Sequence, residues 1–137
     1  MPLHLIKLCV GADTPDDLRE WRRSREGRSH ANRVHTRQTP KRADEIIDGG
    51  SLFWVFKGVV LIRQRVLGIE TLTDGARKRC EIQLDEPMIR TAPQPRRAFQ
   101  GWRYLEAKEA PGDLPGDETG ETMSTELARR LRELGAW

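Results

Sequence analysis

Side chains able to hold an anion gather at three places in the sequence. The first is residues 35–42, where His35, Arg37, Lys41 and Arg42 stand among the hydroxyls of Thr36 and Thr39. Arginine offers a planar fork that meets phosphate or carboxylate with two hydrogen bonds, and lysine offers a point charge. Thr39-Pro40 also reads as a helix start, whose free amides attract anions. Lys41 and Arg42 oppose the helix dipole there, so an exposed basic helix is the equal alternative. The second place is Arg63 and Arg65, two residues apart and therefore on one face of a strand. On a core face the two guanidiniums would need carboxylates, a bound anion or an open rim; a bulge near Gly68 would turn them to solvent instead. The third is residues 96–104, where Arg96, Arg97 and Arg103 are interleaved with Phe99, Trp102 and Tyr104. Cations for the backbone and rings for the bases are what single-stranded nucleic acid binders combine. Trp54 is a further candidate ring, but Phe53, Trp54 and Phe56 crowd an apolar run that fits a core better.

Catalytic signals are few. The chain has no GxSxG elbow, phosphate loop, HExxH or GxGxxG pattern. His35, beside Arg37, is the histidine best placed for proton transfer, and with Arg63 and Arg65 it would serve a small-molecule enzyme or anionic-ligand domain. Cys9 and Cys80 lie far apart in apolar runs, without CxxC spacing, and read as buried thiols. No metal-ligand spacing and no cofactor motif is present, so neither group is expected.

The apolar pattern sets the elements that must position these residues. Residues 3–10 form a first strand stopped by Gly11. Thr14-Pro15-Asp16-Asp17 opens a helix to about residue 26: Thr caps the amides, Pro is preset for the first turn, and the acids complement the dipole. Residues 27–38 show no period and read as a loop. A short helix from Pro40 to Asp48 closes at Gly49-Gly50. Residues 51–73 are the sheet core, two strands meeting near Lys57-Gly58. Asp74-Gly75 then signals a two-residue hairpin turn, which pairs Thr73 with Ala76, Glu70 with Arg79, Ile69 with Cys80, Leu67 with Ile82 and Arg65 with Leu84. Residues 88–91 make a short strand bounded by prolines, and 99–105 a last one.

A chain of 137 residues is the size of one domain, and 36% hydrophobic against 33% charged residues means a lean core under a charged surface. The net charge of +3 hides an asymmetry: residues 19–42 carry net +7 and residues 106–126 net −6. No stretch is apolar enough to span a bilayer and the N-terminus has no secretory pattern, so a cytoplasmic chain without membrane contact is expected. The expected fold is α+β: a small mixed β-sheet or partly closed pseudo-barrel over residues 1–108 with short flanking helices. An acidic flexible linker at 109–123 and an amphipathic C-terminal helix at 124–137 follow. That helix presents Leu127, Leu131, Leu134 and Trp137 to a protein partner or a second copy.

Residues 2–11, 35–42, 49–58 with Arg63-Gln64-Arg65, and 99–105 resemble a family of small bacterial proteins classed only as a domain of unknown function. The resemblance covers nearly everything up to about Ala107 and implies no activity. More distantly, the order of short helix, glycine turn, aromatic strand, long strand and hairpin is similar to PUA- and ASCH-type pseudo-barrels, which implies RNA or modified-nucleotide binding. Three functions follow as expectations: binding of RNA or another polyanion through the three basic places, a small-anion enzyme or ligand domain, and an adaptor acting through the last helix.

Overall fold

The computed structural model describes residues 2–9, 13–23, 32–97 and 99–114. In chain order they form β1 (Leu3–Leu8), α1 (Pro15–Arg23), β2 (Arg33–Thr36), α2 (Ala43–Ile47), β3 (Ser51–Phe56), β4 (Val59–Asp74), β5 (Arg77–Leu84), β6 (Ile89–Pro95) and β7 (Trp102–Glu106). The strands make one mixed, open sheet in the order β2-β5-β4-β3-β1-β7, with β6 also on β4. β1 and β3 run parallel, and the other pairs are antiparallel.

β1 and β3 read as nearly unbroken apolar runs because both of their faces are covered. Leu5, Leu52, Trp54 and Phe56 join the larger core with Ile46, Ile62, Val66, Cys80 and Ile82. Ile6, Phe53 and Val55 join a second cluster with Val60 and Leu105. Phe53 and Phe56 are almost fully buried, each contributing about 2–3 kcal/mol of transfer free energy.

The turn from β3 to β4 falls at Lys57-Gly58, as the sequence indicates, with φ of 46° and 85°. Both central residues have positive φ, as the favoured two-residue hairpin turn requires. The next hairpin differs from the expected register. Asp74 pairs with Arg77, so the two-residue loop is Gly75-Ala76, and Thr71 faces Cys80 while Ile69 faces Ile82. Gly75, with φ of 64°, takes the first central position, the one that demands positive φ in a turn where the second does not. The register also shifts between Val66 and Gly68, and Leu67 is left 54% exposed. That bulge puts Val66 and Ile69 on the same face, three residues apart.

Within the stretch expected to be a loop, residues 33–36 are a strand pairing with β5. Its single aliphatic residue, Val34, faces Ile82, and an edge strand with one covered face leaves little apolar pattern to read. α1 begins as expected: Thr14 Oγ1 accepts from the amide of Asp17 at 3.1 Å, and Asp17 reaches back to the amide of Asp13 at 3.1 Å. The second helix is shorter than expected, because residues 41–42 form a turn before Ala43. It closes as expected at Gly49, with φ of 93°.

β6 tolerates Pro93 and Pro95 because its outer edge meets only a short length of chain. Thr91 bridges Asp113, and the amide of Ala92 donates to Gly112 O at 2.8 Å. Of the stretch read as a linker, residues 112–114 therefore run along β6 and Glu109 ends a short 3-10 turn from Ala107, while 115–123 and the expected helix at 124–137 lie outside the described residues. No helix among the described residues is long and apolar enough to cross a membrane.

Gly50 sits where α2 turns into β3, and a Cβ there would stand 2.5 Å from Ile46 O and closer still to Leu3 O. Gly112 has open space at the same position. Gly50→Ala is expected to cost about 3 kcal/mol or more in urea unfolding, and Gly112→Ala no more than about 0.5 kcal/mol.

Candidate anion-binding cleft

The two ends of the sheet approach each other without forming a ladder. Trp102 Nε1 on β7 donates to Gln38 O, just past β2, at 2.9 Å, and the amide of Arg42 donates to the Tyr104 hydroxyl at 3.3 Å. Between these ends lies a cleft of about 1160 Å³. Six cations line it: Lys7 from β1, Arg37 after β2, Arg77, Lys78 and Arg79 from β5, and Arg103 from β7. Among the described residues, no carboxylate lies within ion-pair distance of any of the six. Polar edges of Thr36, Gln38 and Gln100 complete the wall, and Trp102 stands edge-on to Tyr104 with ring centroids 4.9 Å apart.

Lys7 has Trp54 and Trp102 as its cross-strand neighbours, and burial of its stem lowers its pKa. An anion in the cleft would offset that desolvation. His35 also lines the cleft and faces Glu81 across the strand pair, with Nε2 3.1 Å from Glu81 Oε2. Gln83 Nε2 donates to the other oxygen at 3.2 Å. Hydrogen bonds from Gln83 and then His35 hold the Glu81 carboxyl below its ordinary pKa.

The structure thus brings together His35, Arg37, Trp102 and Arg103 from two of the three basic places. It adds Lys7, a lone cation in an apolar run, and Arg77, Lys78 and Arg79, whose sequence signal is three consecutive cations after a turn. Lys41 and Arg42 are exposed on the turn before α2. Arg42 is held by Glu45 at 2.6 and 2.8 Å and lies 5.7 Å over the Tyr104 ring. Arg96 and Arg97 line a separate cavity of about 480 Å³ with Phe99, and Arg103 borders that cavity too.

Three further sequence candidates, Trp54, Arg63 and Arg65, lie outside the cleft. Trp54 is 7% exposed, with Nε1 donating to Gln64 Oε1 at 3.0 Å, so its ring is core and offers no stacking surface. Arg63 and Arg65 line neither concavity. Arg65 is exposed, and Arg63 is gripped by both oxygens of Asp113 at 2.7 Å and donates to Ser51 Oγ at 2.8 Å. Arg63 faces Phe53 across the strand pair, so it shares the face of the second cluster rather than that of the larger core. Its guanidinium holds the Asp113 carboxyl below the usual range. Cys80 is fully buried, and burial pushes the partly buried Cys9 thiol up to about 11, which leaves it un-ionised at neutral pH. No group of three or more His, Cys, Asp or Glu able to hold a metal ion occurs among the described residues.

His4, beside this network, is 9% exposed and accepts from the Ser51 amide through Nδ1 at 3.0 Å. Burial first, and the Arg63 charge second, lower its pKa, so the folded state holds it neutral. Its contribution to stability is therefore full above the unfolded histidine value of about 6.5 and is lost as pH falls through the lower folded value. The urea midpoint is expected to fall between pH 7 and pH 5, more steeply in the wild type than in His4→Gln. Parallel pH profiles for the two would refute this role.

A family model described as Protein of unknown function (DUF1489) matches residues 5–137. No curated protein and no solved structure matches the chain.

Proposed function

The chain belongs to the DUF1489 family, to which no activity is assigned, and from its own geometry we propose that it binds RNA or a similar polyanion in the cleft between β2, β5 and β7. The observation that carries this reading is the set of six cleft cations without a carboxylate partner among the described residues. Like charges held side by side repel, and a polyanion relieves that repulsion while releasing its own counterions. The contact of Gln38 with Trp102 supports a sheet curled toward a partly closed barrel, the architecture that the PUA- and ASCH-type likeness implies. The chain would meet its ligand in solution, as a cytoplasmic protein does.

A second reading, an enzyme or binding domain for a small anion, draws on the 3.1 Å contact of His35 with Glu81 at the cleft, a pair able to relay a proton. It has lost the help expected of Arg63, which Asp113 occupies.

Fluorescence anisotropy with mixed cellular RNA, over a range of salt concentrations, separates these. Binding of the full chain should weaken steeply with salt. Arg77→Ala, Lys78→Ala and Arg79→Ala together should flatten the log–log salt slope by about 0.7 for each phosphate contact removed. RNA binding that is absent at low salt, or indifferent to the triple substitution, overturns the reading.

A further inference from the structure

The cleft leaves a second concave surface unexplained, and the two share a wall. Arg96, Arg97 and Phe99 face the cavity of about 480 Å³, whereas Gln100, Gly101 and Trp102 face the cleft. Arg103 borders both. Its Nη1 donates to Gln100 O at 3.1 Å and Trp102 O at 3.2 Å, and its guanidinium lies 5.6 Å over the Phe99 ring, which holds a cation on the divide. Gly101, beside it, has φ of 69° and nothing within 4 Å of the position a Cβ would take. The crest is therefore low and open where the charge is fixed.

We propose that the ligand is a single strand of RNA that lies in the cleft, crosses the divide at Gly101 and Arg103, and continues into the cavity beside Phe99. The inference rests on the RNA reading above and adds the strandedness and the path. Size favours a polymer: at about 1160 Å³ the cleft exceeds the ~300–1,000 Å³ of ordinary small-molecule sites. A mononucleotide would fill one concavity and gain nothing from the other. A strand engages both, the second contact being intramolecular once the first is made. Rings stand along the route, with Trp102 in the cleft and Phe99 and the 37% exposed Tyr104 in the cavity wall. Only unpaired bases can stack on such rings, since a duplex keeps its base faces inside and presents its backbone.

The test is anisotropy of the full chain at low salt with labelled oligouridines of about four and about sixteen nucleotides, the span that one small β-domain covers. An RNA duplex about as long as the longer strand serves as the third ligand. The longer strand should bind tighter by on the order of tenfold or more, and the duplex more weakly than that strand. Arg96→Ala with Arg97→Ala should remove most of the gain from length while leaving the short strand unaffected, with an unchanged melting temperature. Arg97→Glu alone, at an exposed position, is a second variant expected to act in the same direction. Equal affinity for the two lengths, an equal loss for both in the variants, or tighter binding of the duplex overturns the path and leaves the cleft reading intact. Failure of every ligand to bind overturns both.

Discussion

One strand carries the architecture. β4 is sixteen residues long, with β3 along one edge of its first half, β6 along the other, and β5 replacing β6 in its second half. The backbone groups of its first half must be paired by neighbours, because residues 59–62 are buried on both faces and have no water to turn to. The change from β6 to β5 leaves a gap that a side chain fills. Gln64, 3% exposed, accepts from Trp54 Nε1 at 3.0 Å and donates to Asp85 O at 3.0 Å, tying β3 to the link between β5 and β6. A buried amide satisfied at both ends orders the junction, whereas one left unpaired would cost about 1–3 kcal/mol. Just beyond it the bulge at Leu67 re-phases the strand, so Ile69 and Thr71 share the face of Val66. The second half of β4 then directs the β4–β5 hairpin, with β2 on its edge, toward one wall of the cleft.

Charge is sorted by that geometry. Four described acids are engaged elsewhere, Asp113 with Arg63, Glu45 with Arg42, Asp13 with Lys57 and Glu106 with Lys108, while Glu81 at the cleft is held by His35. Exposed pairs of this kind contribute little stability each. Their larger effect is on the field, because every carboxylate committed elsewhere is one that does not neutralise Arg77, Lys78 or Arg79. Over separations below a Debye length of about 8–10 Å the remaining cations add to one positive surface. That surface adjoins the aromatic segment, so attraction and stacking groups meet at one place.

Much of the local structure is legible in the amino-acid order, because turn and cap chemistry acts over a few residues. Thr14-Pro15-Asp16-Asp17 specifies the start of α1, Lys57-Gly58 the turn between β3 and β4, and Gly49 the end of α2. The apolar runs of β1 and β3 announce strands covered on both faces. The site was half legible: His35, Arg37, Trp102 and Arg103 stand out by composition, while Lys7 is hidden inside an apolar strand and Arg77 to Arg79 look like an ordinary solvated edge.

What the sequence by itself determined is therefore most of the elements, with β2 the exception, the basic character of the chain and the presence of aromatic rings among its cations. Tertiary structure decided which cations belong together. Arg63 stands out along the chain and Lys7 does not, yet Arg63 is matched by Asp113 from fifty residues away and Lys7 opens into the cleft. The physical reason is that turns and caps are short-range, whereas pairing of a charge depends on which strands the sheet makes neighbours. Local order does not encode that choice, because one residue of register or one bulge reverses the face a side chain takes.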